Sequence, residues 1–341
     1  MSTKDALRGT IEALTRPGRG ILAADESQPT ITKRFKALNI ASTEESRRQY
    51  RQLLFTATGA DRYLSGVILF EETLSQKADD GTPLPEVLKK RGIVPGIKVD
   101  KGTTDLANAP GDLITQGLDG LADRLRSYKP FGARFAKWRE VYNVTDRNPT
   151  ALGIEANAEV LARYAAICQS EEIVPIVEPE VLIDGDHTIE RCHEVSMAVL
   201  HAVFDALQRH RVDHGGMVLK PSMVLPGKAN PKKASPEQVA GATLGVLRVT
   251  VPAAVPTINF LSGGQAPEEA TANLNAMNVL YPRAPWVLSF SYARALQDPA
   301  MRAWGGRAEN VAAAQKAFVQ RLAMNALARD GKWSAAMEQA T

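Results

Sequence analysis

The chain has 341 residues, 44% of them hydrophobic and 23% charged, with a formal net charge of +3 and two cysteines. That is enough apolar sequence for a sizeable packed core. The small charge, with basic residues scattered apart from short clusters such as Lys89, Lys90 and Arg91, excludes nucleic acid as the main partner. Lys4, Asp5, Arg8 and Glu12 interrupt the N-terminal stretch, so it has no signal-peptide core, and no run is apolar enough to span a membrane. Cys168 and Cys192 lack CxxC spacing and read as buried free thiols of a cytoplasmic protein.

Taken in chain order, short apolar runs predict strands beginning near residues 20 (GILAAD), 66 (GVILFE), 96 (GIKVD), 133 (ARFAKW), 174 (VPIVEP), 217 (MVLKP), 257 (TINFLSGG) and 287 (VLSFSY). Helical patterns lie between several of them. Ser42 and Glu45 form a capping-box pattern ahead of a helix holding Leu53 and Leu54. Ile189, Cys192, Val195, Val199, Val203 and Leu207 share one face at 3.6-residue spacing. Ser235, Pro236 and Gln238 supply an N-cap, a first-turn proline and a box partner. Near-continuous apolar strands alternating with helices indicate a parallel sheet covered by helices. Eight such units predict an α/β fold, a (β/α)8 TIM barrel with additional N-terminal and C-terminal helical segments. A doubly wound open sheet is the alternative, and the lack of GxGxxG or GxxxxGK[ST] in any βα turn favours the barrel. With no linker or composition break, residues 1–341 read as one domain ending in a short flexible tail over 334–341.

In a barrel the active site gathers residues from the C-terminal ends of the strands. Those ends carry Asp25, Glu71, Lys98, Lys137, Glu178, Lys220, Ser262 and, just beyond the last strand, Arg294. Period-two alternation puts Glu178 and Glu180 on the face of Ile176, and Lys137 on that of Phe135 and Arg139. One lysine at a strand end is ordinarily a snorkelling side chain, and one carboxylate there a helix cap. Several converging on one mouth indicate chemistry. Two neighbouring ammonium groups disfavour each other's charge, so Lys220 beside Lys137 is a candidate neutral amine that forms a Schiff base. Glu178 is placed as the acid/base group. The five histidines, His187, His193, His201, His210 and His214, sit in one helical region and its flanks without HxxxH or HxH spacing, so metal catalysis is not expected. The glycines of LSGGQ (Leu261 to Gln265) and Arg294 of SYARAL follow the last two strands, where barrels often bind phosphate. Ser27, Thr30 and Arg34 follow Asp25 in DESQPTITKR, where Ser27 or Thr30 could equally serve as an N-cap.

The stretches GRGILAADES, GVILFEETLSQKADDG, FAKWR, VPIVEPE, LKPSMVLPG, FLSGGQ, SFSYARALQ and AWGG, in this order across nearly the whole chain, resemble the class I fructose-1,6-bisphosphate aldolases. The resemblance implies a (β/α)8 barrel that reversibly cleaves fructose 1,6-bisphosphate into dihydroxyacetone phosphate and glyceraldehyde 3-phosphate, with no metal or other cofactor, as a cytoplasmic homotetramer whose ligands are small sugar phosphates. Lys220 then matches the Schiff-base lysine, Lys137 the neighbouring electrostatic lysine and Glu178 the general acid/base. Asp25 would contact the hydroxyls around the scissile bond, and Glu180 would belong to the same charge network. Ser262, Gly263 and Arg294 would hold the ketone-side phosphate, and Lys98, Ser27 and Thr30, with Arg34 nearby, the other. Arg139, Gly264 and Ser291 complete the candidate substrate-binding set. Another Schiff-base barrel enzyme acting on a single-phosphate sugar, or a noncatalytic barrel scaffold, would fit the fold but not two phosphate sites with an intact lysine pair.

Two departures stand out. Ala293 replaces the glycine usual before the arginine, which would strain any positive-φ geometry there. The final segment also lacks the tyrosine that assists proton transfer in animal members. We therefore expect carbon–carbon cleavage to be retained, with exchange of the dihydroxyacetone phosphate proton limiting. An isotope-exchange assay running faster than turnover would contradict this.

Overall fold

The eight apolar runs pair side by side in the computed structural model, which describes residues 2–339. They form β1 (Gly20–Ala24), β2 (Leu64–Leu69), β3 (Val94–Lys98), β4 (Phe135–Tyr142), β5 (Val174–Val181), β6 (Val218–Leu219), β7 (Thr257–Phe260) and β8 (Val287–Tyr292). Every start lies within two residues of its expected position. All pairings are parallel, and β1 bonds to both β2 and β8, so the sheet closes into a barrel and the open-sheet alternative falls away. β4 and β5 are longer than the sequence indicates and stay paired as far as Tyr142 and Val181. A short antiparallel hairpin, Thr103–Asp105 with Leu113–Thr115, is inserted between β3 and β4.

Helices wrap the outside. The face predicted from Cys192 to Leu207 is buried in the helix Ile189–Arg209, and Ser235 and Gln238 form the expected capping box. The earlier box is displaced by one residue. Thr43, not Ser42, is the N-cap of Glu44–Thr56, and Ser46 is its partner. Ser42 is engaged elsewhere, 2.7 Å from the Thr32 hydroxyl. At the C-terminal end, Ala335–Gln339 form a 3-10 helix, and Glu338 accepts bonds from Arg321 (2.6 Å) and Trp333 (2.9 Å). Residues 340 and 341 of the expected 334–341 tail lie outside the described residues.

Strand alternation sorts the core into two parts. Outward residues such as Leu22, Val67, Ile97, Trp138, Val177 and Leu219 pack against the helices. Inward ones, Ile21, Ala23, Ile68, Val94, Phe135, Val174, Ile176 and Val218, fill the barrel, and the helix Thr3–Leu14 closes its N-terminal end with Leu7, Ile11 and Leu14. Phe135 fits there because Gly66 and Gly96 have no side chains. A Cβ on Gly96 would lie 2.2 Å from the Phe135 ring, and one on Gly66 would lie 3.1 Å from it. The same alternation points Glu140 outward from β4, fully buried, with one oxygen accepting from Trp138 Nε1 at 2.8 Å and the other without a partner.

Two predictions follow from this packing. Gly96→Ala overpacks the interior and should destabilise by about 3 kcal/mol, lowering the melting temperature by several degrees. Phe135→Leu in the same chain should restore part of the loss. Burial raises the Glu140 pKa from the ordinary glutamate value to about 8, so the folded protein keeps this proton over a range where the unfolded chain has already lost it. Stability should therefore fall as pH rises from about 4.5 towards 8, by up to roughly 5 kcal/mol. Denaturant midpoints at pH 6 and pH 9 should show a smaller difference in Glu140→Gln than in the parent. Equal differences would contradict the assignment.

Candidate active site

Continuing the inward columns of the barrel towards the C-terminal ends of the strands changes their chemistry. Ile21 and Ala23 lead to Asp25, Gly96 to Lys98, Phe135 to Lys137 and Arg139, Ile176 to Glu178 and Glu180, and Val218 to Lys220. The ladder sets their relative heights, with Lys98 opposite Lys137 and Arg139 opposite Glu178. These side chains line an open cavity of about 530 Å³ with Ser27, Thr30, Ser262, Gly263, Ser291 and Arg294. A second cavity, about 470 Å³, opens at the opposite end and is lined by Arg16, Lys89, Lys129, Arg134 and Glu172. Glu172 is its one carboxylate and pairs with Lys129, so that cavity has no acid/base group beside a free amine.

The charges at the first cavity are buried and packed against one another. Lys220 Nζ lies 3.1 Å from Glu178 Oε1. Lys137 Nζ is 2.7 Å from Asp25, 3.4 Å from Glu178 and 3.9 Å from Asp100, and all five groups are buried. Burial opposes the Lys137 charge, but Asp25, Glu178 and Asp100 outweigh it and lift its pKa above the ordinary lysine range. Burial likewise opposes ionisation of Asp25, yet Lys137, Lys220 and Lys98 hold it down to about 2. Lys137 is thus a fixed positive charge and Asp25 a fixed negative one at neutral pH, with Glu178 between the two lysines. The Ser291 hydroxyl and Glu178 Oε2, both on the cavity wall, are buried without a hydrogen-bond partner, although Glu178 Oε2 keeps its longer ion pair with Lys137. A polyhydroxylated ligand could bond to both.

At the rim, Lys98 is held by Asp100 (2.6 Å), and Arg139 bonds to Glu180 while its carbonyl accepts from Thr115 at 2.8 Å. Ser27 is the N-cap residue of Gln28–Lys36, but its hydroxyl makes no capping bond and instead lies 3.1 Å from that of Thr30. Arg34 borders the cavity with its guanidinium committed to Glu26 and to Asp298 at 2.8 Å. Glu26 also binds Arg51 at 2.5 Å, which ties the helix Gln28–Lys36 to the helix Glu44–Thr56. Gly263 and Gly264 have φ of 54° and 88°, in the left-handed region that favours glycine. Ala293 has φ −102°, so the expected positive-φ strain is absent there.

Of the charged strand ends, Glu71 does not join the cluster. It sits in the first turn of a short helix, bonded to Lys101 and to the Tyr128 hydroxyl. Gly264 is not among the residues that line the cavity. Two residues were missed by the sequence reading. Asp100, two residues past Lys98, bridges Lys98 and Lys137, and the period-two spacing from Lys98 was the available signal. Lys33, three residues after Thr30 on the same helix, lines the cavity as an exposed cation.

The family model described as fructose-bisphosphate aldolase class-I matches residues 6–341. A cytosolic fructose-bisphosphate aldolase 6 of Arabidopsis thaliana is 54% identical over 329 residues, covering 96% of this chain and 92% of that protein. The cytoplasmic isozyme of Spinacia oleracea has the same identity over the same length and shares. Among solved structures, the fructose-bisphosphate aldolase from Plasmodium falciparum, in a ternary complex with TRAP and a small-molecule inhibitor, matches with a TM-score of 0.96 at 48% identity. That match covers 98% of this chain and 96% of the other.

Proposed function

The chain belongs to the class I fructose-bisphosphate aldolase family, and from that premise we propose the roles its residues play in cleaving fructose 1,6-bisphosphate through a lysine Schiff base. The observation that carries the assignment is the buried contact of 3.1 Å between Lys220 and Glu178, beside a Lys137 fixed by Asp25.

Lys220 is the nucleophile. Its neutral amine adds to the C2 carbonyl of the sugar, Glu178 relays the protons, and loss of water leaves a protonated imine. The C4 hydroxyl then gives up its proton to Glu178, and the C3–C4 bond breaks. Glyceraldehyde 3-phosphate departs as the bonding electrons move into the imine and form an enamine. Protonation of the enamine carbon and hydrolysis of the imine release dihydroxyacetone phosphate and restore the free amine. Lys137 stabilises the negative charge that develops on oxygen during addition and is held in place by Asp25 and Asp100. Asp25 orients the hydroxyls about the scissile bond, and Glu180 keeps Arg139 over the cavity.

The substrate lies across the mouth between two phosphate sites. Ser262, Gly263 and Arg294 take the ketone-side phosphate, with Ser291 beneath them. Lys98, Ser27, Thr30 and Lys33 face the other one, while Arg34 braces that wall through Glu26 and Asp298. The relatives carry the names of cytosolic and cytoplasmic isozymes, and among the described residues no helix is long and apolar enough to cross a membrane. The names of the relatives support a cytoplasmic enzyme. Family resemblance supports a homotetramer, for which light scattering should return four times the 36.9 kDa chain mass.

Borohydride reduction in the presence of dihydroxyacetone phosphate and EDTA should attach the triose to Lys220 alone, located by peptide mapping. Lys220→Met should abolish the adduct and lower cleavage by roughly three orders of magnitude or more. An adduct on another lysine would overturn the assignment.

A further inference from the structure

We propose that Lys228 is an additional phosphate-binding residue, a second cation acting with Arg294 on the ketone-side phosphate. The inference rests on the aldolase reading above and extends it to a residue outside the cavity wall.

The observation is the meeting of two cations over a bare glycine. A Cβ on Gly264 would stand 2.7 Å from Lys228 Nζ and 3.0 Å from Arg294 Nη2. Both charged tips therefore converge on the same point, within roughly 6 Å of one another, close enough to repel appreciably. Neither is tightly neutralised in place, since Lys228 has only a long, solvent-exposed ion pair. Among the described residues Arg294 has no carboxylate partner, and the nearest to Lys228 is Asp184, 3.6 Å away and largely exposed. The backbone of Lys228 is anchored on both sides. Its N–H donates to the Ile183 carbonyl at 2.8 Å, and its own carbonyl accepts from Lys233 Nζ at 2.7 Å.

A pair of like charges brought together by an anchored loop is stabilised when an anion sits between them. Charge-assisted N–H···O contacts of about 2.8 Å on each side of a phosphate reach across any separation up to that limit. The absent side chain of Gly264 leaves room for that approach. Every ligand with a phosphate at this end, including the triose product, would gain from the second cation, so Lys228 acts on binding rather than on bond cleavage. Asp184 competes with the phosphate for Lys228, so its removal should have the opposite effect.

The test compares the parent with Lys228→Ala and Asp184→Asn, reading kcat and KM for fructose 1,6-bisphosphate and, by calorimetry, the Kd of inorganic phosphate. Lys228→Ala should raise KM and the phosphate Kd about five- to tenfold, with the main effect in KM rather than kcat, and should make KM less sensitive to salt. Asp184→Asn should lower both constants. An unchanged Kd and KM in Lys228→Ala, or an effect confined to kcat, would overturn the proposal. Lys228 is half-exposed, and equal melting temperatures would show that the variant folds. A parent that does not cleave the sugar and forms no adduct on Lys220 would refute the aldolase reading separately, since phosphate binding is read without turnover.

Discussion

The site depends on burying several like charges at the mouth of a closed barrel without leaving any uncompensated. Lys137 carries the largest share of that constraint. Its ammonium is shared among Asp25, Glu178 and Asp100, each on a different segment, so it fixes the relative positions of β1, β3, β4 and β5. An unpaired charge in such surroundings would cost several kcal/mol. The cluster is therefore a structural joint as well as a set of reactive groups.

Only a closed barrel with strict alternation can present such a cluster. Each inward column begins in the apolar interior and ends in a charge, and the registers between neighbouring strands set how high each charge sits. Phe135 and the two bare positions facing it, Gly66 and Gly96, keep β2, β3 and β4 close. Loosening the interior would change the spacing of the lysines above it. The long β4 and β5 carry the idea further, because Arg139 and Glu180 remain on the ladder and are positioned by rigid backbone rather than by loops.

Much of this was legible in the sequence. The eight strands stood out as apolar runs rich in branched residues, and the columns through Phe135, Lys137 and Arg139 and through Ile176, Glu178 and Glu180 follow from period two alone. Strand length was harder to read, since a charge in an apolar run looks like a terminus, whereas in β4 and β5 it is an interior position facing a polar cavity. Glu71 misled for a related reason. It follows its strand directly, but the chain turns into a helix there and carries the side chain away. Asp100 lies in a stretch that reads as loop, so its period-two spacing from Lys98 was easily passed over, and the distances to Lys98 and Lys137 reveal its part. Helical spacing could not say which of Lys33 and Arg34 would be taken up by Glu26, because both follow Thr30 by about one turn. The two-cation meeting at Gly264 involves residues thirty or more positions apart and left no local trace.

The N-terminal helix under the barrel has a kinetic consequence. With Leu7, Ile11 and Leu14 sealing the rear, the covalent intermediate proposed on Lys220 would stand at the floor of a vessel with one opening, and the two halves of the split sugar would have to leave through it. The untethered aldehyde goes first, and the tethered triose follows after hydrolysis. In the direction of synthesis the order reverses, so the ketose must be loaded before the aldehyde, and a crowded mouth penalises the aldehyde that arrives early.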